Sequence, residues 1–361
     1  MTINDCFTKN NNFTLLRLLA AFSVLYGHSY ALSIGINGLE DPISSILITY
    51  WGESLPSLAV DLFFVTSGFL VTASYCQRNN LQVFVESRLL RIFPALIIAV
   101  ILCVFVVGPI STTTSLSDYF SSPSTWAYLK HNIILLDGIQ FDLPSVFMSN
   151  PYPMSVNGSL WTLPIELWMY LLVALLGFSN VLMSRATYNL VLLLFPVLLY
   201  VQGNEGFFIF NNPRTVQLGL LFFLGGFFYI NREVIQLNFP VLAGLAVITY
   251  LVRGSNSLLI FKCIIFSYSV LVLGLHPKLR LPAIDKYGDI SYGLYIYAFP
   301  VQQLLAFFVE NITPINMFFF SSLITLLLAF TSWRLIEKPA LSLKGKLSAN
   351  FLQKNIFMVK T

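Results

Sequence analysis

Charged residues are scarce in this 361-residue chain, at 10% of the sequence against 57% for hydrophobic residues. Because soluble domains carry roughly 25% charged residues, this composition excludes an ordinary soluble protein. The net charge of only +4 gives no support to nucleic-acid binding. Cysteine is also rare, and Cys6, Cys76, Cys103 and Cys263 show no paired spacing. Disulfides and a cysteine metal site are therefore not expected, and no bound metal is predicted.

Long apolar runs dominate what is present, together with 33 Phe and 17 Tyr residues. Windows of about 20 apolar residues predict membrane-spanning helices, since that length crosses a bilayer. Ten such windows lie near 13–34, 56–75, 91–110, 159–178, 181–201, 215–231, 239–252, 257–275, 288–310 and 315–336. The sequence thus predicts an all-α polytopic membrane protein, a bundle of about ten transmembrane helices in contact with membrane lipid. The long segment between the third and fourth windows is expected to hold short interfacial pieces such as 128–136.

The distribution of basic residues supports this helix count. An even number of spans puts both termini on one side, and all but four of the 20 Lys and Arg residues then fall on that side. Since basic loops stay cytoplasmic, both termini are predicted to be cytoplasmic. We expect one transmembrane domain at 1–340 and a short basic cytoplasmic tail at 341–361, where basic residues face anionic lipid.

The first window carries two ionisable residues, Arg17 and His28, in RLLAAFSVLYGH. An intramembrane ionisable residue is costly and marks a functional site by default. The eleven-residue separation puts both side chains on one helix face, roughly 16 Å apart along the axis. A neutral imidazole can take a proton from a substrate hydroxyl near pH 7, so His28 is a candidate general base. The alternative is that His28 is a satisfied packing residue.

A second basic group precedes the third window, where Arg88 and Arg91 lie one helical turn apart in RLLRIFP. Two guanidiniums on one face form a fork suited to phosphate. With Arg17 they predict a three-arginine cluster for the phosphates of a nucleotide-type ligand. Ordinary anchoring at the cytoplasmic boundary is the alternative.

Two carboxylates fall inside predicted helices. Asp61, in VDLFFVTSGFL, is a candidate catalytic residue, although it could instead cap the start of its helix. In the same segment, Gly68 is expected to let two helices approach closely. Glu166, in SLWTLPIE, is predicted at the depth of His28, where it would support the imidazolium that forms on proton transfer. The alternative for Glu166 is ion pairing with another helix.

Aromatic residues provide candidates for acceptor binding. Trp161 could stack on a sugar ring or belong to the interfacial aromatic belt. Tyr295, in the segment SYGLYIYAFPV, could line a channel or simply pack. Glu337, in the closing EKP, most simply neutralises nearby arginines.

Taken in order, these segments resemble acyltransferase family 3, the membrane-bound O-acyltransferases of the O-antigen acetylase type. The resemblance rests on the Arg17–His28 spacing, VDLFFVTSGFL, the RxxR at 88–91, SLWTLPIE and EKP. It implies that an acyl group, usually acetyl from cytoplasmic acetyl-CoA, is moved to a hydroxyl of a cell-surface glycan or lipid-linked saccharide. His28 then resembles the family's catalytic histidine, and Arg17, Arg88 and Arg91 its essential basic residues, here placed to bind CoA.

The resemblance also implies a multi-pass location in the bacterial plasma membrane and acetyl-CoA as a substrate, with no bound cofactor. One position departs from the family pattern, because a histidine is often found where this chain has Ala298. That departure points to a dispensable histidine or to a subgroup with a different acceptor.

Two mechanisms stay open at this point. His28 deprotonates the acceptor hydroxyl, which attacks the thioester directly, or the acyl group rests first on a protein side chain. Direct transfer is favoured because no serine elbow or reactive cysteine motif is present. The alternative function is a transporter or lipid flippase in which His28 and Glu166 relay protons. The internal repeats or broken helices typical of that class are not evident in the sequence.

Overall fold

The computed structural model describes residues 1–8, 10–35, 38, 40–202, 212–255, 257–282, 284 and 288–346, with residues 196–202 described by their backbone. Within these ranges the chain is 76% helical and no β-strand forms. Ten longer helices run in chain order: α1 Phe13–Ile34, α2 Leu55–Arg78, α3 Leu81–Leu102, α4 Thr162–Phe178, α5 Arg185–Gln202, α6 Pro213–Ile230, α7 Phe239–Leu251, α8 Leu258–Leu275, α9 Ser291–Phe308 and α10 Pro314–Ser332.

Each of the ten predicted windows falls on one of these helices. Within the described ranges, seven helices are long and apolar enough to cross a membrane, and α7 and the first part of α5 are shorter apolar helices. The less apolar α9 carries three tyrosines and two glutamines, which are buried in the protein. The chain is therefore an all-α polytopic membrane protein, as the sequence predicted.

Helix α3 begins ten residues before the predicted third window. Asn80 caps it, since Asn80 Oδ1 accepts a hydrogen bond of 3.0 Å from the Val83 amide. Because the helix starts at Leu81, Arg88 and Arg91 lie inside a continuous helix rather than in a loop. The hydropathy window missed this because Glu86, Arg88 and Arg91 place charges in the first half of α3.

Two shorter helices, Leu116–Ser121 and Pro123–Ile134, occupy the long segment between α3 and α4. Their presence agrees with the short pieces expected there. Of the predicted tail at 341–361, residues 347–361 lie outside the described ranges.

The chain divides into two compact units. The first unit comprises Met1–Arg17, Val60–Val85 and Ile165–Lys286. In it, α2 and α6 approach so closely that a Cβ atom on Gly68 would lie 1.9 Å from the carbonyl oxygen of Phe222. Reciprocally, a Cβ on Gly225 would lie 2.3 Å from the carbonyl oxygen of Val65. The expectation that Gly68 permits a close helix contact is thus confirmed.

The second unit comprises Leu18–Ala59, Glu86–Pro164 and Tyr287–Thr361. Its most extensive helix contact joins α9 and α10. Pro300 interrupts α9, and because proline has no amide hydrogen, the carbonyl of Ile296 loses its donor within the helix. The Asn157 side chain supplies the replacement, with Nδ2 donating to that carbonyl at 2.9 Å. The segment before α4 is thereby fastened to the middle of α9.

Candidate active site

His28 lies on α1 within the second unit. Its ring packs edge-on against Phe299 of α9, with centroids 5.3 Å apart and planes at 81°. Nδ1 is buried without a hydrogen-bond partner among the described residues, whereas the residue as a whole is only half-buried. With Nδ1 buried, Nε2 is the candidate nitrogen for a substrate contact. Since leaving a buried polar atom unpaired costs about 1–3 kcal/mol, this imidazole is poorly explained as a satisfied packing residue.

Arg91, also in the second unit, is held by two carboxylates. Its Nη2 lies 2.6 Å from Asp289 Oδ2 and its Nη1 lies 3.4 Å from Glu337 Oε2. The guanidinium carbon also lies 5.6 Å from the ring centre of Tyr292 and 5.9 Å from that of Trp333. Aromatic faces attract a cation, so these contacts fix the guanidinium in one place. A phosphate bound at Arg91 would share the guanidinium with the carboxylates of Asp289 and Glu337.

A π-helical turn at Trp333–Glu337 presents both of its end residues to Arg91. Such turns are rare and are frequent at functional sites. Glu337 is buried, and its Oε1 accepts from Ser332 at 3.2 Å. Gly288 adopts a φ of +92°, and a Cβ there would lie 1.9 Å from Trp333 Nε1. Glycine is thus required beside this turn, and Glu337 neutralises an arginine as expected.

The remaining candidates of the second unit are Arg88, Tyr295 and Trp161. Arg88 donates from Nε to Ser87 Oγ at 3.2 Å. Tyr295 is buried, and its hydroxyl lies 2.9 Å from Thr162 Oγ1. Trp161 is half-buried at the end of the 3₁₀ turn Gly158–Trp161. The donor role of Arg88 and the acceptor roles of Tyr295 and Trp161 stay predictions.

In the first unit, Asp61 is buried and forms an ion pair with the half-buried Arg214. Its Oδ1 lies 2.8 Å from Arg214 Nη2, and its Oδ2 accepts from Gln217 at 3.0 Å. Since α2 begins at Leu55, Asp61 lies well inside the helix and does not cap it. The capping alternative is therefore wrong, and the Asp61 side chain instead joins α2 to α6. A role for Asp61 in a reaction stays a prediction.

Glu166 and Arg17 also belong to the first unit. Glu166 Oε1 accepts hydrogen bonds from Ser67 Oγ at 3.2 Å and from the Tyr170 hydroxyl. These donors are neutral, and no ion pair with Glu166 forms among the residues that the structure describes, so the ion-pairing alternative loses support. The Arg17 guanidinium carbon lies 5.9 Å from the ring centre of Phe63. The predicted His28–Glu166 hydrogen bond and three-arginine cluster stay predictions.

Some residues that contact a candidate residue or its helix were not singled out from the sequence, namely Phe299, Gln302, Asp289 and Arg214. Gln302 alone carried a usable signal, because two glutamines interrupt an otherwise apolar helix. Asp289 and Arg214 lie near helix ends, where charged residues are ordinary, and nothing in the sequence pairs them with Arg91 and Asp61.

Comparison with known proteins identifies the family and the reactions that its relatives are named for. The profile of a family described as an acyltransferase domain matches residues 10–334. An O-acetyl transferase from Shigella phage Sf6 is 30% identical over 92% of this chain and 97% of its own length. Nodulation protein 10 of Rhizobium leguminosarum bv. viciae is 29% identical over 95% of this chain and 96% of its own. The O-acetyltransferase OatA of Staphylococcus aureus strain NCTC 8325 is 26% identical over 82% of this chain and 54% of its own. No solved structure matches.

The helices and their buried ionisable groups define a multi-pass membrane protein with candidate reaction chemistry inside its helices. The chain belongs to the acyltransferase family that the profile describes, as its motifs indicated. It is accordingly a membrane acyltransferase, which disfavours the transporter alternative.

Proposed function

We propose that this protein transfers an acetyl group from cytoplasmic acetyl-CoA to a hydroxyl of a cell-surface glycan or lipid-linked saccharide, in the bacterial plasma membrane. The names of two relatives, an O-acetyl transferase and an O-acetyltransferase, support the acetyl group and the oxygen acceptor. The observation that carries the proposal is His28, a half-buried imidazole inside a membrane helix whose Nδ1 has no partner among the described residues.

In the proposed reaction, Nε2 of His28 accepts the proton of the acceptor hydroxyl as its oxygen attacks the thioester carbonyl. The new C–O bond forms and the C–S bond breaks, and CoA leaves as a thiolate. The proton held on the imidazolium then passes to that thiolate, which returns His28 to its neutral form. Direct transfer of this kind needs no nucleophile from the protein.

Arg88 and Arg91 are proposed to bind the CoA phosphates, since guanidiniums form bidentate hydrogen bonds with phosphate. Asp289 and Glu337 already hold the Arg91 guanidinium in place and balance its charge. Arg91 would therefore contribute to phosphate binding through its fixed position rather than through an unbalanced positive charge. A bound phosphate would add negative charge beside two carboxylates.

The test of the catalytic role is a His28→Ala variant in cells that make the acceptor glycan. We expect acetylation of the surface glycan to fall by about 100-fold or more, the usual effect of removing a general base. Mass spectrometry of the glycan measures the acetyl content, and immunoblotting of membranes confirms that the protein is present. The matched control is His131→Ala in the helix Pro123–Ile134, which should acetylate normally. Normal acetylation by His28→Ala would refute the proposal.

A second experiment separates the two mechanisms. Purified protein is mixed with radiolabelled acetyl-CoA in the absence of any acceptor and then denatured. Direct transfer predicts no label on the protein. Label retained after denaturation would establish an acyl-enzyme, and peptide mapping would then locate the acylated side chain.

A further inference from the structure

Gln302 of α9 is fully buried and joins α9 to α1. Its Nε2 donates to the carbonyl oxygen of Leu25 at 2.9 Å and to Ser29 Oγ at 2.8 Å. Ser29 is buried as well, and its Oγ donates to the same Leu25 carbonyl at 2.8 Å. Three polar groups thus form a closed set of hydrogen bonds inside the second unit.

These contacts bracket His28. Ser29 follows it directly, and Leu25 lies one turn before it. On α9, Phe299 lies one turn before Gln302 and touches the His28 ring. Two successive turns of α9 therefore contact the ring of His28 and the helix turn that carries it.

Stability alone does not explain a glutamine at this position. Its Oε1 is buried without a hydrogen-bond partner among the described residues, which costs free energy. The Leu25 carbonyl already accepts from Ser29, so it does not need the amide. A leucine would fill a similar volume with no unpaired atom. What the amide adds is a directional constraint between two helices.

From this geometry we infer that Gln302 is a positioning residue that holds His28 in the orientation needed for proton transfer. The catalytic consequence rests on the proposed function of His28, whereas the positioning itself does not. Gln302 acts through the Leu25–Ser29 turn and is not assigned any contact with substrate.

The first readout is chemical modification of His28 in the full-length protein. Diethyl pyrocarbonate acylates neutral imidazole, and peptide mass spectrometry gives a separate rate for each of the three histidines. In Gln302→Leu, His28 should react about fivefold faster, the factor expected when two hydrogen bonds at the weaker end of the ordinary range are both lost. His131 and His276 should react at unchanged rates. An unchanged rate at His28 would overturn the inference.

The second readout is a kinetic split in membrane vesicles that carry the cells' own glycan. With labelled acetyl-CoA as the varied substrate, Gln302→Leu should lower the maximal rate about tenfold and leave the donor KM unchanged, because orientation affects the reaction step. A raised KM with an unchanged maximal rate would contradict positioning. The matched control is Ser321→Ala on α10, which should leave both values unchanged, because among the described residues the Ser321 hydroxyl bonds only within its own helix.

Ser29→Ala keeps the test decisive if Gln302→Leu fails to fold. It removes one of the two acceptors of Gln302, so His28 should react about twofold faster with diethyl pyrocarbonate, and no change would overturn the inference. In the double variant, the two effects should combine to less than their product, since both act on one network. Faster modification with normal acetyl transfer would keep the positioning role and refute catalysis by His28. Slower acetyl transfer with normal modification would refute positioning.

Discussion

Replacing Gly68 by alanine tests how closely α2 and α6 approach in the first unit. The added Cβ would lie 1.9 Å from the carbonyl oxygen of Phe222 and 2.7 Å from its carbonyl carbon. Carbon atoms in proteins are not found within 3.0 Å of such a neighbour, so the two backbones would have to separate by about 1 Å at this point. No side-chain rotation relieves the clash, because the obstructing atoms belong to the main chain.

The expected free-energy change follows from two opposing effects. Overpacking costs about 1–3 kcal/mol and falls at the upper end here, where the backbone is the obstacle. Alanine gains at most about 1 kcal/mol over glycine in helix propensity. The net loss is therefore about 2 kcal/mol, which lowers a thermal midpoint by about 4–8 °C for a domain of 150–250 residues.

The assay is the temperature at which the native peak of the detergent-purified protein in gel filtration falls to half its height. Gly244→Ala on α7 is the matched control, since a Cβ there meets no atom within 4 Å and should keep or raise the midpoint. A midpoint for Gly68→Ala at or above that of the wild type, with the control behaving as expected, would refute the close approach of these helices.

Two further predictions use the same assay. Asn12→Ala should lower the stability by about 2–3 kcal/mol, because its side chain makes three hydrogen bonds, two of 2.8 Å to backbone carbonyls and one of 3.0 Å from a backbone amide. Asp61→Asn should cost about 3 kcal/mol, the low end for breaking a buried ion pair, since Asp61 is buried and its partner Arg214 is half-buried. Glu233→Gln is the control for Asp61→Asn, because the ion pair of Glu233 with Arg185 is exposed and should contribute less than about 1 kcal/mol. Equal losses of stability in Asp61→Asn and Glu233→Gln would contradict the difference in burial between the two carboxylates.

Much of the helical architecture could be predicted from the sequence. Every predicted window falls on a helix, including the short α7, because the apolar length needed to cross a bilayer is a local property. The main error was the start of α3, where charged residues at 86, 88 and 91 mask the beginning of a helix that Asn80 caps. The role of Gly68 was also predictable, since a glycine inside an apolar helix favours close packing.

The candidate site was predictable only in part. His28 and Arg17 were singled out as candidates because ionisable residues in apolar runs are conspicuous, and their roles stay predictions. The partners of Arg91 were not, since Asp289 and Glu337 lie 198 and 246 residues away along the chain. The sequence offered capping as an explanation for Asp61, and the structure shows an ion pair with Arg214 instead.

By itself, the sequence determined the class of the protein, its helices and its family, because hydropathy and motif order are properties of short stretches of chain. Only the tertiary structure decided which distant groups meet: the two carboxylates on Arg91, Phe299 against the His28 ring, and Gln302 at the turn that carries it. Such contacts depend on how helices pack and rotate against one another. A side chain's type sets what it can bind, and packing sets what it does bind.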